Sequence, residues 1–234
     1  MKNNKGKSLW FKALKGFLKI FVRKPKIKYL GQKIEENSIV LSNHVGSKVP
    51  IKLELYADFA FRYWGTYEMN SDIKSVYKYL SNVYFYQKKH KGKFLSKFLG
   101  FVVAPFAKLF YKGMQLISTY PDARFKTTLQ KSFTKIKEGY NLVIFPEDSS
   151  SGYFDNLKYF YGGFVVFANY CLKRGIDLNV YLSYYVKQTN TYIVDKPIKY
   201  SQLKQTFKDR QNIAEQMLKR VNALRQNDNK VNMC

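Results

Sequence analysis

Of the two histidines in the 234-residue chain, His44 is the one placed where chemistry is possible. It follows the apolar run SIVLS (38–42) and Asn43, so a buried strand ends and an imidazole emerges. A second apolar run, NLVIF (141–145), ends in Pro146, Glu147 and Asp148, followed by SSSGYFD. A histidine with a carboxylate in reach is the minimal apparatus for taking a proton from a hydroxyl. Each signal also has a plainer meaning: strand-end histidines are commonly hydrogen-bonded structural groups, and Asp and Ser are common helix caps. His90, in the basic loop KKHKGK (88–93), reads as a solvated side chain without a role.

For stretches a hundred residues apart to meet, both strands must open onto one rim. Four apolar runs read as strands: 38–42, MQLIS (114–118), NLVIF (141–145) and LNVYLSYYV (178–186). None alternates cleanly, and helical patterns separate them, which is the signature of a sheet buried on both faces and hence of an α/β fold. Ligands of such sheets bind outside the carboxyl ends of the strands. Helices are expected from a Ser71 cap through SDIKSVYKYLSNVYFYQ, over 122–139 ending at Gly139, over 161–175, and over 203–225. The apolar stretch 94–111, with Pro105 inside it, fits a buried helix pair equally with a surface that dips into lipid or receives an acyl chain.

Lys and Arg outnumber Asp and Glu by 41 to 16, a net charge of +25, which calls for a polyanionic partner. Tyr (20 residues) suits a membrane interface and also stacks on bases. No RNP segment or compact recognition helix is present, so nucleic acid is the less favoured partner. Cys171 and Cys234 supply neither a disulfide framework nor a zinc site, and no metal or cofactor is expected. Cys171 reads as a buried thiol and Cys234 as a tail residue.

Residues 1–28 carry ten Lys or Arg and no acid. Trp10, Leu14, Phe17 and Phe21 recur at helical spacing, with Lys12, Lys15, Lys19 and Arg23 between them and Pro25 as terminator. The lysines exclude a secretory apolar core, and the apolar length is too short to span a bilayer. This is a basic amphipathic helix, expected to lie on an anionic membrane surface and to be removable from a domain spanning 29–234. The alternative is a helix packed on its own domain.

Taken together and in order, Asn43-His44, GMQLIST (113–119), EGYNLVIFPED (138–148) and YFYGGFVVFANYCLKRGIDLNVYLSYYV (159–186) resemble the four blocks of the glycerolipid acyltransferases of the lysophosphatidic acid acyltransferase type. The resemblance implies a mixed, mostly parallel sheet flanked by helices and peripheral attachment to the cytoplasmic face of a membrane. It also implies a role in phospholipid biosynthesis: transfer of an acyl chain from an acyl-CoA or acyl carrier protein thioester to a lipid acceptor hydroxyl, with His44 as general base. Three positions depart from the pattern. Val49 stands where an aspartate orients the imidazole, Thr119 where an arginine ends the second block, and Ser150 where the third block has its arginine. Asp148 is the preferred replacement acid, with Glu54 as the alternative. Lys48 is the first choice for the lost positive charge, with Lys52, Arg62 and Arg124 behind it. Glu147, Ser149 and Ser150 are expected to line the substrate site, and backbone N–H groups near Gly46 to hold the oxyanion. A non-catalytic lipid-binding relative is the main rival reading, because the orienting acid is missing.

Overall fold

A computed structural model describes residues 2–231, with side chains as far as Arg225; Cys234 lies outside the described residues. The chain opens with a 3-10 turn at Lys2–Asn4 and helix α1 (Leu9–Phe21). Strands β1 (Lys26–Tyr29) and β2 (Ser38–Ser42), helix α2 (Lys48–Tyr56) and strand β3 (Phe61–Thr66) follow. Next come α3 (Tyr67–Asn70), α4 (Ile73–Lys78), a π-helical segment at Tyr79–Lys88, and the long α5 (Lys93–Met114). The second half runs β4 (Ile117–Thr119), α6 (Phe125–Lys137), β5 (Asn141–Ile144), α7 (Gly163–Leu172) and β6 (Asn179–Val186). It ends in β7 (Thr191–Val194), β8 (Ile198–Lys199), α8 (Tyr200–Thr206) and α9 (Arg210–Val231).

One eight-stranded sheet has the order β1-β7-β6-β2-β5-β3-β4, with β8 pairing β6. Pairings are parallel except those of β6 with β7 and with β8. The fold is therefore α/β, as the buried runs predict, with the mixed, mostly parallel sheet that the resemblance implies. Every residue of β2, β5 and β6 is buried, because helices cover both faces. Ile39, Leu41, Leu142 and Ile144 face α7 and α9 through Phe164, Phe167, Met217 and Val221. Val40, Val143 and Tyr181 face the other way, onto Phe11, Val49 and Leu53. Each such apolar side chain contributes about 1.5–3 kcal/mol on leaving water.

Gly139 ends α6 as expected, at φ +75°, where its N–H donates to Ile136 O and that of Tyr140 to Lys135 O. Only a residue without a Cβ takes this left-handed turn at no cost. Several boundaries differ from the sequence expectation. Met114 closes α5 instead of opening a strand, Asp72 rather than Ser71 caps α4, and Phe207–Asp209 divide the C-terminal helix in two. Residues 94–111 form one continuous helix through Pro105, not a pair. β1, β3, β7 and α2 carried no clear periodicity in the sequence.

The N-terminal segment is built into the body. Phe11 is fully buried, ring to ring with Phe110 at 5.5 Å and packed against Gly113, where a Cβ would lie 2.0 Å from that ring. Lys15, expected at the lipid headgroups, is instead 2% exposed and reaches Glu54 at 3.2 Å. Lys7 joins the same carboxylate at 3.2 Å and donates to Met114 O at 2.7 Å. The physical reason is that Glu54, wholly buried on α2, is an anion that must find cations or lose its charge. Residues 26–29 then add β1 to the sheet, so the chain crosses position 28 inside a strand. Removing residues 1–24 would strip a core aromatic and both partners of a buried acid.

Trp10, Phe17 and Phe21 do face outward with Leu9 and Ile20, while Lys12 is exposed and Lys19 approaches the Tyr56 ring at 5.5 Å. Glu54→Gln should lower unfolding free energy by about 3–5 kcal/mol in urea titrations, because two buried ammoniums lose their counter-charge. An equal stability of wild type and variant would show that the triad carries no such weight.

Candidate active site

His44 is positioned by the way β2 stops. Asn43 takes over the ladder with its side chain: Oδ1 accepts from Tyr185 N at 2.7 Å and Nδ2 donates to Tyr185 O at 3.2 Å. The main chain is thereby freed to turn outward, and the peptide N–H of His44 donates to Glu147 Oε2 at 2.9 Å. Glu147 is itself held by a short antiparallel ribbon. It bridges Phe160, while Tyr161 N donates to Pro146 O and Asp148 N to Tyr159 O. The two strand ends singled out in the sequence thus meet, and Glu147 grips the backbone of His44 rather than its ring.

The imidazole lies in an aromatic column. Phe145 meets it edge-on at 4.6 Å, Tyr153 stacks on it at 5.1 Å and 15°, and Tyr63 stacks beneath Phe145 at 5.9 Å. Nδ1 is buried and has no hydrogen-bond partner among the described residues. Burial in this column, with Lys88 and Lys89 nearby, pushes the His44 pKa down to about 3. Burial raises Glu147 to about 7, against the opposing hydrogen bonds of the His44 and Phe154 backbone, and its Oε1 is likewise unpartnered. The pair therefore comprises a neutral ring and a carboxyl near half-ionisation at neutral pH.

Asp148 does not hold the ring. Its Oδ1 accepts from Ser150 N at 2.9 Å, and the Tyr161 hydroxyl also bonds its carboxylate, lowering its pKa. An aspartate after a strand end closes its own turn at little cost, and this one does so. Glu54 is committed to Lys7 and Lys15. Val49, at the position of the usual acid, is a core residue with no exposed surface, and Tyr192 Oη donates to its carbonyl.

The expected cations are elsewhere too. Lys48 is exposed at the start of α2 without an ion pair among the described residues, and Lys52 donates to Arg23 O and Asn190 Oδ1. Arg124 pairs with Asp122 at 2.6 Å and lies over Tyr67 and Tyr120. Arg62 is buried over the Tyr140 ring at 4.0 Å, at one wall of a groove of about 770 Å³ that also takes in Ser118, Tyr120 and Lys131 but not His44.

Gly46, at φ +56°, and Ser149 do stand at the site, but beside residues that the sequence reading passed over. Lys88 Nζ donates to Ser149 Oγ at 2.7 Å, and a Cβ on Gly46 would lie 2.9 Å from Lys89 Nζ. In the sequence these lysines are two of a basic loop, indistinguishable from solvated charge. Tyr153 sits in a polar stretch that gave no hint of a ring stacked on the histidine.

His44 should remain neutral at pH 5 in imidazole 15N spectra, its signal assigned by loss in His44→Gln. Below pH 6.5 the unfolded chain takes up a proton that the folded ring refuses until about pH 3, so this group costs stability as pH falls through that window. Tyr153→Ala, which uncovers one face, should raise the ring's titration midpoint by about one unit or more. An unchanged midpoint would remove burial by Tyr153 as the cause.

No protein-family profile and no curated protein sequence matches the chain. Among solved structures, it is similar to the crystal structure of the 1-acyl-sn-glycerophosphate (LPA) acyltransferase PlsC from Thermotoga maritima. The TM-score is 0.50 at 12% identity, over 95% of this chain and 79% of that one. With its mostly parallel eight-stranded sheet flanked by helices, the chain shares the fold of that acyltransferase.

Proposed function

We propose that this protein is an acyltransferase that moves an acyl chain from a thioester, of coenzyme A or a carrier protein, to a hydroxyl of a lipid acceptor. The observation that carries this reading is the neutral His44 ring with a free, buried Nδ1, set where β2 and β5 both end. A neutral imidazole accepts a proton where an imidazolium cannot. As the acceptor oxygen bonds to the thioester carbonyl carbon, His44 takes the hydroxyl proton. The carbonyl electrons move onto oxygen, to which N–H groups of the turn at Gly46 are candidates to donate hydrogen bonds. Collapse breaks the carbon–sulfur bond, and the leaving thiolate takes the proton back from His44. Glu147 acts as a positioning residue through the His44 backbone. The fold shared with an acyltransferase supports the reading. The unpartnered Nδ1 also favours the rival, a lipid-binding protein without turnover, because a ring that no acid orients is a weak catalyst.

The same reading places the protein on an anionic membrane surface at its cytoplasmic face. α5 is long and apolar enough to span a bilayer, with a mean hydropathy of 1.4. One side of it is nevertheless held by the body through Ser96, Gly100 and Ala104. The other side shows Phe94, Phe101 and Phe106, which are 87%, 74% and 72% exposed. With the exposed apolar residues of α1, these accompany a chain charge of +25, the combination that binds anionic interfaces.

Purified wild type should acylate at least one of a panel of lysolipid and glycolipid acceptors from a labelled thioester. His44→Ala should lose about 100-fold or more of that rate. No product from folded, lipid-binding wild type would favour the rival. Phe17→Asp with Phe101→Asp should cut binding to phosphatidylglycerol vesicles at least tenfold at unchanged fold, and undiminished binding would refute the membrane surface.

A further inference from the structure

Lys88 and Lys89 are an unexplained pair of cations beside an unexplained histidine. Neither makes an ion pair among the described residues, in a chain where Lys7, Lys15, Arg124, Lys135 and Arg220 do. Lys88 is half-buried and burial lowers its pKa, while Asp148 and Glu147 oppose this from beyond ion-pair distance. Its hydrogen-bond partner among the described residues is neutral, the Ser149 hydroxyl at 2.7 Å. Leaving an ammonium desolvated against a neutral oxygen costs free energy, so the arrangement is incomplete as it stands.

The backbone goes to some length to build it. The ten residues before Lys89 are π-helical, a rare geometry found mostly as single turns at functional sites. Lys89 N donates to Tyr84 O five residues back, and the Lys89 ammonium lies over the Tyr84 ring at 5.8 Å. With ordinary four-residue spacing Lys89 would rotate away from Tyr84. Both ammoniums instead converge on Tyr153, at 5.9 Å and 5.1 Å from its ring centre, and Tyr153 is stacked on His44. On the opposite side, Gly46 leaves the space that Lys89 Nζ occupies, and its φ of +56° suits glycine.

We propose that Lys88, Lys89 and the Ser149 hydroxyl form a seat for a phosphate group carried by a substrate, directly beside His44. Two ammoniums and a hydroxyl offer point-charge recognition from several directions in place of a planar guanidinium fork. A bound phosphate completes the charge of Lys88 and relieves the repulsion that both lysines exert on a protonated His44. The seat thus makes the ring a better proton acceptor only when substrate is present. The substrate's identity rests on the acyl-transfer reading; the seat does not. The phosphate belongs either to the lipid acceptor or to the nucleotide or pantetheine part of the acyl donor.

The seat is tested first without turnover. Inorganic phosphate, titrated against chloride at matched ionic strength, should shift the His44 imidazole 15N signal saturably in wild type. The Lys88→Gln/Lys89→Gln double variant should bind at least tenfold more weakly, Lys88→Arg/Lys89→Arg should retain binding, and Lys173→Gln should not differ from wild type. No saturable shift in wild type, or equal affinity in the Gln double variant, overturns the proposal. Turnover then locates the source, by crossing phosphate-bearing and phosphate-free acceptors with coenzyme A and N-acetylcysteamine thioesters. A rise in KM confined to the phosphate-bearing acceptor, or to the coenzyme A thioester, names the partner. An unchanged KM in all four combinations overturns the seat's role. Absence of turnover in wild type, with phosphate binding intact, sinks the acyl-transfer reading and leaves the seat standing.

Discussion

One buried carboxylate organises the side of the molecule on which α1 lies. Glu54 has no exposed surface, and the two ammoniums that neutralise it both come from the N-terminal segment. Its burial would cost several kcal/mol if it were left unpaired, so α1 is fixed in rotation as well as in place. With Lys15 and Phe11 turned inward, Trp10, Phe17 and Phe21 have no choice but to face outward. The same contact positions α5, since Lys7 bonds Met114 O and Gly113 sits against Phe11. Two apolar helix faces are therefore oriented by an ionic contact beneath them.

The rim where β2 and β5 end follows a different logic, in which side chains replace main chain. Asn43 continues the sheet ladder on behalf of the backbone, and Glu147 receives the peptide N–H of His44. Both polar groups are spent on geometry, and nothing remains to orient the ring except the aromatic column of Tyr63, Phe145 and Tyr153. Such contacts are worth about 0.5–1.5 kcal/mol per pair and define a plane, yet they choose no tautomer. The usual division of labour, in which an acid holds the ring and cations hold the ligand, is redistributed.

Sheet and rim were legible because they are written in runs. Residues 38–42, 141–145 and 178–186 carry apolar side chains at consecutive positions, interrupted only by Ser and Asn, and only a sheet covered on both faces needs that. The meeting of His44 with Glu147 followed from strand ends alone. What could not be read depended on partners distant in sequence. Lys15 looks like every other lysine of an amphipathic stripe until Glu54 is known to be buried opposite it. Asp148 looks like an available acid until the Ser150 N–H and Tyr161 hydroxyl are seen around it. Lys88 and Lys89 are hidden most deeply, because their placement depends on a π-helical register that no apolar periodicity reports.

Apart from the two-residue β8, which pairs only β6, the sheet has two outer strands among the described residues, and their composition bears on how the protein behaves among copies of itself. β4 has three residues, too few to template another strand. β1 has four, with Lys26 and Lys28 at alternate positions. Short edges carrying lysine are poor substrates for strand addition, because each added chain would bring charge against like charge. On the membrane surface proposed above, local density and with it the aggregation hazard would be highest, and blunted edges would allow crowding in two dimensions without polymerisation.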